Sequence, residues 1–95
     1  MAAYVLAEIE ITNPEGYKAY TAIVPATIEQ YGGKFLHRGG GIDVLEGDWP
    51  QRRRVIIEFP SMEAARAWYD SKEYAAAKAL RHSTSSARII AVTGV

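Results

Sequence analysis

Between Arg52 and Tyr74 the chain reads R-R-R-V-I-I-E-F-P-S-M-E-A-A-R-A-W-Y-D-S-K-E-Y, and few folds accommodate that order. Val55, Ile57 and Phe59 share one side of a period-2 strand, with Arg54, Ile56 and Glu58 on the other. Pro60 ends the pairing because it has no N–H to give a ladder. Ser61 is placed to cap a helix, its hydroxyl accepting from an amide of the first turn. That helix carries Trp68-Tyr69 and reaches a break at Asp70-Ser71, before Glu73-Tyr74. Strand, stop and helix make half of a domain, and the rest of the chain supplies a second copy.

The first copy begins at Ala3–Ile11, where Val5, Ala7, Ile9 and Ile11 alternate with Tyr4, Leu6, Glu8 and Glu10. Asn13-Pro14-Glu15 starts a helix: a cap, a proline at the first position and an acid at the positive end of the dipole. Tyr17, Tyr20, Ile23, Val24, Ile28 and Tyr31 then recur at helical spacing, with a kink expected at Pro25 and a stop at Gly32-Gly33. Lys34–Arg38 reads as a short strand. Gly39-Gly40-Gly41 lacks the Lys-Ser/Thr of a phosphate loop and suits a hairpin, a bulge or close backbone approach. Ile42–Glu46 resumes a strand, and Gly47-Asp48-Trp49-Pro50 is turn chemistry. Lys72 to about His82 is a further helical segment, Ser83–Ser86 a polar loop, and Ala87–Val95 the last strand.

The order β-α-β-β-α-β predicts a single α+β domain over residues 1–95: a ferredoxin-like four-stranded antiparallel sheet with its helices on one face. The other face then carries Leu6 and Ile56 beside Glu8, Arg54 and Glu58, too mixed for a core and too apolar for water. It suits burial against a second copy, so a homodimer is expected.

Composition removes several functions. With 11 basic and 11 acidic residues the net charge is zero, which argues against nucleic acid as a partner. Without cysteine there is no disulfide, thiol nucleophile or thiolate zinc site. Glu8 and Glu10 interrupt the early apolar run, and no stretch approaches the ~20 apolar residues of a membrane span, so the cytoplasm is the expected compartment.

G-G-K-F-L-H-R-G-G (32–40), L-E-G-D-W-P (45–50), R-V-I-I-E-F-P-S (54–61) and A-W-Y-D-S-K-E-Y (67–74) together resemble one family, that catalogued as domain of unknown function 1330. The resemblance covers almost the whole chain. It departs at Lys72, where the family commonly has proline, and at His37, where it is variable. Membership implies the dimeric α/β-barrel superfamily, in which two ferredoxin-like sheets pair into a barrel. That superfamily includes cofactor-free monooxygenases, haem-dependent chlorite dismutases and lactone isomerases, so the resemblance implies a small-molecule pocket without naming a reaction.

His37 and His82 lie on different elements without a third ligand, so neither a metal nor a haem is expected. Arg38, with Glu46 orienting it, is a candidate for holding a substrate carboxylate or enolate; the plainer reading of such strand charges is cross-strand pairing. Tyr69 is a candidate proton donor or acceptor. Trp68, Ser71, Tyr74 and Arg81 are candidate substrate-binding residues, an aromatic wall with a few convergent polar groups. No Ser-His-Asp or Cys-His set exists. The expectation is a cofactor-independent enzyme for a small aromatic or carboxylated metabolite, with a binding module or a structural dimer as alternatives.

Overall fold

Both halves of the chain fold as the caps dictate. The computed structural model, which describes residues 1–95, contains β1 (Ala3–Ile11), α1 (Pro14–Gln30), β2 (Lys34–Arg38), β3 (Arg53–Phe59), α2 (Met62–Tyr69), α3 (Lys72–Thr84) and β4 (Ser85–Thr93). Asn13 Oδ1 accepts from the Gly16 amide at 3.1 Å, and Ser61 Oγ accepts from the Ala64 amide at 3.1 Å. Past α1, Gly32 adopts φ +79°, and the Gly33 amide returns to the Ile28 carbonyl at 2.9 Å. α1 passes through Pro25 as one helix.

The strands form one antiparallel sheet in the order β2-β3-β1-β4, the ferredoxin-like arrangement. Val5, Ile9, Val55, Ile57 and Phe59 pack under the helices with Ile28, Trp68 and Tyr74. No helix covers the opposite face, and residues 42–49 lie over its β2–β3 side. Across it, Ile90, Leu6 and Ile56 stand in one row and Arg88, Glu8 and Arg54 in the next.

Two boundaries differ from the sequence reading. Ile42–Glu46 is not a strand, because residues 39–52 form an irregular loop. β3 is already flanked by β2 and β1, so only the outer edges of β2 and β4 could take another strand. Ser83–Ser86 is not a loop either: α3 runs into β4 directly. Ser83 Oγ and Thr84 Oγ1 donate to the Leu80 carbonyl at 3.0 and 2.7 Å, and Ser85 Oγ donates to the Arg81 carbonyl at 2.7 Å. The polar side chains there satisfy the helix end rather than water. No helix is long and apolar enough to cross a membrane.

Candidate functional site

A narrow cavity of about 30 Å³ lies between the helices and the sheet. That is space for a water or two, so an organic ligand needs its mouth to part. Val5, Ile9, Val55 and Ile57 floor the cavity, while Tyr17, Tyr20, Trp68 and Tyr74 wall it. Arg38, Arg53 and Arg81 complete it, and no carboxylate or histidine joins the lining.

The wall is held by polar contacts that single residues cannot make. The Tyr20 and Tyr74 hydroxyls meet at 3.0 Å, and Arg81 Nε donates to the Tyr74 oxygen at 3.3 Å. Trp68 Nε1 donates to Thr27 Oγ1 at 3.0 Å, and the Trp68 and Tyr74 rings stack with centroids 4.2 Å apart. Burial pushes the Tyr20 hydroxyl far above its ordinary range, with the neighbouring Tyr74 adding to the shift, so it is a proton donor and not a base. Burial also raises Tyr17, against the opposing charge of Arg53.

Arg38 and Arg53 are each positioned by a local irregularity. In β2 the register shifts between Phe35 and His37, leaving Leu36 as an extra residue. Strict alternation would put Arg38 on the face opposite Phe35; the bulge instead pairs it with Val55 on the cavity side. Its guanidinium lies 4.5 Å from the Phe35 ring centroid, and Nη2 donates to the Thr21 carbonyl at 3.2 Å. Pro25 stands four residues after Thr21 and has no N–H for that carbonyl. The exposed Arg38 thus straps the mouth between β2 and α1. Arg53 lies 5.9 Å from the Tyr17 ring centroid, and its buried Nε has no hydrogen-bond partner. Gly39 sits beside it at φ +67°, and a Cβ there would collide with the Arg53 guanidinium. None of Arg38, Arg53 and Arg81 forms an ion pair.

The structure therefore brings Arg38, Trp68, Tyr74 and Arg81 to one cavity and leaves Glu46, Tyr69 and Ser71 outside it. Glu46 sits in the 39–52 loop, over the opposite sheet face, where its carbonyl accepts from Trp49 Nε1 at 3.0 Å. It makes no ion pair with Arg38. Tyr69 packs beside Trp68 and Tyr74 with Lys78 Nζ 3.8 Å from its ring centroid, and faces a separate hollow with Asp70 and Ile90. Ser71 caps α3: its Oγ accepts from the Tyr74 amide at 3.1 Å and donates to the Trp68 carbonyl at 2.7 Å. It places Tyr74 rather than meeting the cavity.

Sequence reasoning missed Tyr17, Tyr20 and Arg53 as cavity residues. Tyr17 and Tyr20 read as the apolar stripe of α1, and Arg53 as one of the three arginines that open the strand. The available signal was Tyr17 and Tyr20 among the stripe's aliphatic residues, each with a hydroxyl that burial obliges to find a partner.

The family described as "Domain of unknown function (DUF1330)" matches residues 2–95. The chain belongs to this family. No curated protein matches it. Among solved structures, the DUF1330 chain is similar to RPA0582 of Rhodopseudomonas palustris, a protein of unknown function. That likeness has a TM-score of 0.79 at 21% identity over 99% of this chain and 82% of the other. It is also similar to SnoaB of Streptomyces nogalater, a cofactor-independent oxygenase, with a TM-score of 0.67 at 10% identity over 99% and 93% of the two chains. A candidate antibiotic biosynthesis monooxygenase from Nitrosomonas europaea matches with a TM-score of 0.58 at 14% identity, covering 98% and 90%. At these identities the likeness establishes the fold, shared with monooxygenase-like α/β proteins, and no activity.

Proposed function

We propose that this DUF1330 protein binds a small aromatic or carboxylated metabolite in the helix–sheet cavity and acts on it without a resident cofactor. One observation carries the reading: an aromatic cavity holds three arginines, and none of them has a carboxylate partner. Cations left unpaired beside apolar walls favour an anionic guest. Arg38 and Arg53 would hold a carboxylate or enolate, Trp68 and Tyr17 would flank its ring, and Arg81 would act through Tyr74. Their field favours the ionised form of an acidic enol or phenol, the step that prepares such a molecule for attack on an electrophile such as dioxygen. SnoaB, a cofactor-independent oxygenase of the same fold, supports that class.

The lack of any carboxylate or histidine in the lining supports a second reading, a binding module that holds the anion and leaves it unchanged. We assign the helix-free sheet face to a homodimer in either case. Native mass spectrometry on protein purified without added ligand tests the site, followed by a panel of aromatic and aliphatic carboxylates. Retention of an organic acid, lost in Arg53→Gln, is expected. A protein that takes up none of the panel overturns the reading. Conversion of the retained acid under air, against its recovery intact, separates the enzyme from the binding module.

A further inference from the structure

We infer that Tyr20 joins the arginines in binding the ligand's anionic oxygen, oriented by a one-way chain of donors running from Arg81 through Tyr74. The inference rests on the cavity reading above and names the chemical group that the cavity takes. Arginine is only ever a donor. Its Nε–H on the Tyr74 oxygen therefore fixes the sense of that contact at 3.3 Å. Arg81 Nε, Tyr74 and Tyr20 bring three donor protons to two contacts, so one hydroxyl proton has no acceptor within the protein. A phenol that accepts from a guanidinium is a stronger donor, so Tyr74 donates its hydrogen bond to Tyr20. The unplaced proton is that of Tyr20, on the cavity wall.

At the far end of the chain, Arg81 Nη2 meets His82 Nε2 at 3.3 Å, where the histidine nitrogen must accept. Burial keeps Tyr20 protonated, which makes it a donor at any ordinary pH. Arg53 Nε is a second buried donor without an acceptor on the same cavity. Two donors awaiting acceptors, with no carboxylate among the lining residues, describe a site for a carboxylate, enolate or phenolate oxygen.

The test uses 4-nitrophenol, whose anion absorbs visible light, and its uncharged methyl ether, each titrated into the full-length protein. Wild type is expected to bind the phenolate more tightly than the ether. Tyr20→Phe should weaken the phenolate about ten- to hundredfold, the loss of one hydrogen bond to a charged group. Tyr74→Phe should weaken it less, since Tyr20 keeps its proton and loses only its orientation. Tyr31→Phe, whose hydroxyl donates to Glu73 at 2.7 Å away from the cavity, should change nothing. Wild-type affinity in Tyr20→Phe overturns the inference and leaves the cavity reading standing. Should Tyr20→Phe fail to fold, an unchanged Tyr74→Phe overturns the inference in its place. A wild type that binds neither probe overturns both.

Discussion

At the scale of single residues, the cavity depends on groups that are unremarkable in the sequence. Thr27 is a mid-helix threonine, yet its hydroxyl donates to the Val24 carbonyl at 2.8 Å and accepts from Trp68 Nε1 at 3.0 Å. Thr27→Val keeps the shape and strands the buried indole N–H. We expect a loss of about 1–3 kcal/mol in urea unfolding followed by tryptophan fluorescence. Gly39 shows the same dependence through the backbone. Its positive φ costs a residue with a Cβ about 1–2 kcal/mol, and the new methyl would displace Arg53. Gly39→Ala should therefore lower both the unfolding free energy and the uptake of organic anions. Loss of stability with unchanged uptake would remove Arg53 from the site. Pro25 is read from sequence as a kink, and its consequence lies one turn earlier. By offering no N–H to Thr21 it leaves that carbonyl to the Arg38 guanidinium. Only the reach of Arg38 from β2 to α1 makes the connection, and neither element announces it.

At the scale of elements, what the sequence shows and what it hides separate by range. Periodicity and capping depend on neighbours along the chain, so β1, α1, β3, α2 and the Asp70-Ser71 break are legible. The facing of β2 is not, because a bulge is decided by the partner strand. Chemistry alone makes Arg38 a pocket candidate, and the bulge at Leu36 is what turns it to the cavity. The reading that joins Glu46 to Arg38 takes Ile42–Glu46 as a strand. With that stretch in a loop over the far face, the two residues stand on opposite sides of the sheet. Deleting Leu36, a half-exposed residue of the edge strand, removes the bulge and leaves Phe35, His37 and Arg38 in plain alternation, so the Arg38 side chain should stay opposite Val55 on the cavity side. The deletion variant is expected to fold, to keep the native circular dichroism spectrum and to bind organic anions as wild type does. Weakened binding would show that the bulge itself, and not only the facing of Arg38, shapes the mouth.

At the scale of the whole molecule, the unresolved energetic problem is the helix-free sheet face. Ile90 and Leu6 are 59% and 37% exposed in a row with Ile56, an arrangement that water does not favour. Beside that row Glu8 is bracketed by Arg88 at 2.6 Å, Arg54 at 3.5 Å and Arg52 at 3.8 Å. The hydrogen bond from Arg88 is the main cause holding Glu8 below its usual value near 4.5, with the charges of Arg54 and Arg52 assisting against partial desolvation. A carboxyl depressed in the folded state contributes stability above its ordinary pKa, and that contribution is lost as pH falls through the lowered value. If two copies bury this face, the apolar row supplies the association and the Glu8 cluster fixes its register. Sedimentation equilibrium at neutral pH is expected to give a dimer, and Leu6→Asp a folded monomer, since the substitution leaves the core side untouched. A monomeric wild type would sink the assignment. Acidification below the ordinary carboxylate range should weaken the dimer. In Glu8→Gln that acid dependence should be largely gone, because no carboxylate remains among Arg52, Arg54 and Arg88 to lose its charge. Dissociation at the same pH in both proteins would place the controlling group elsewhere on the face, with Glu58, paired to Lys34 at 3.4 Å, the next to replace.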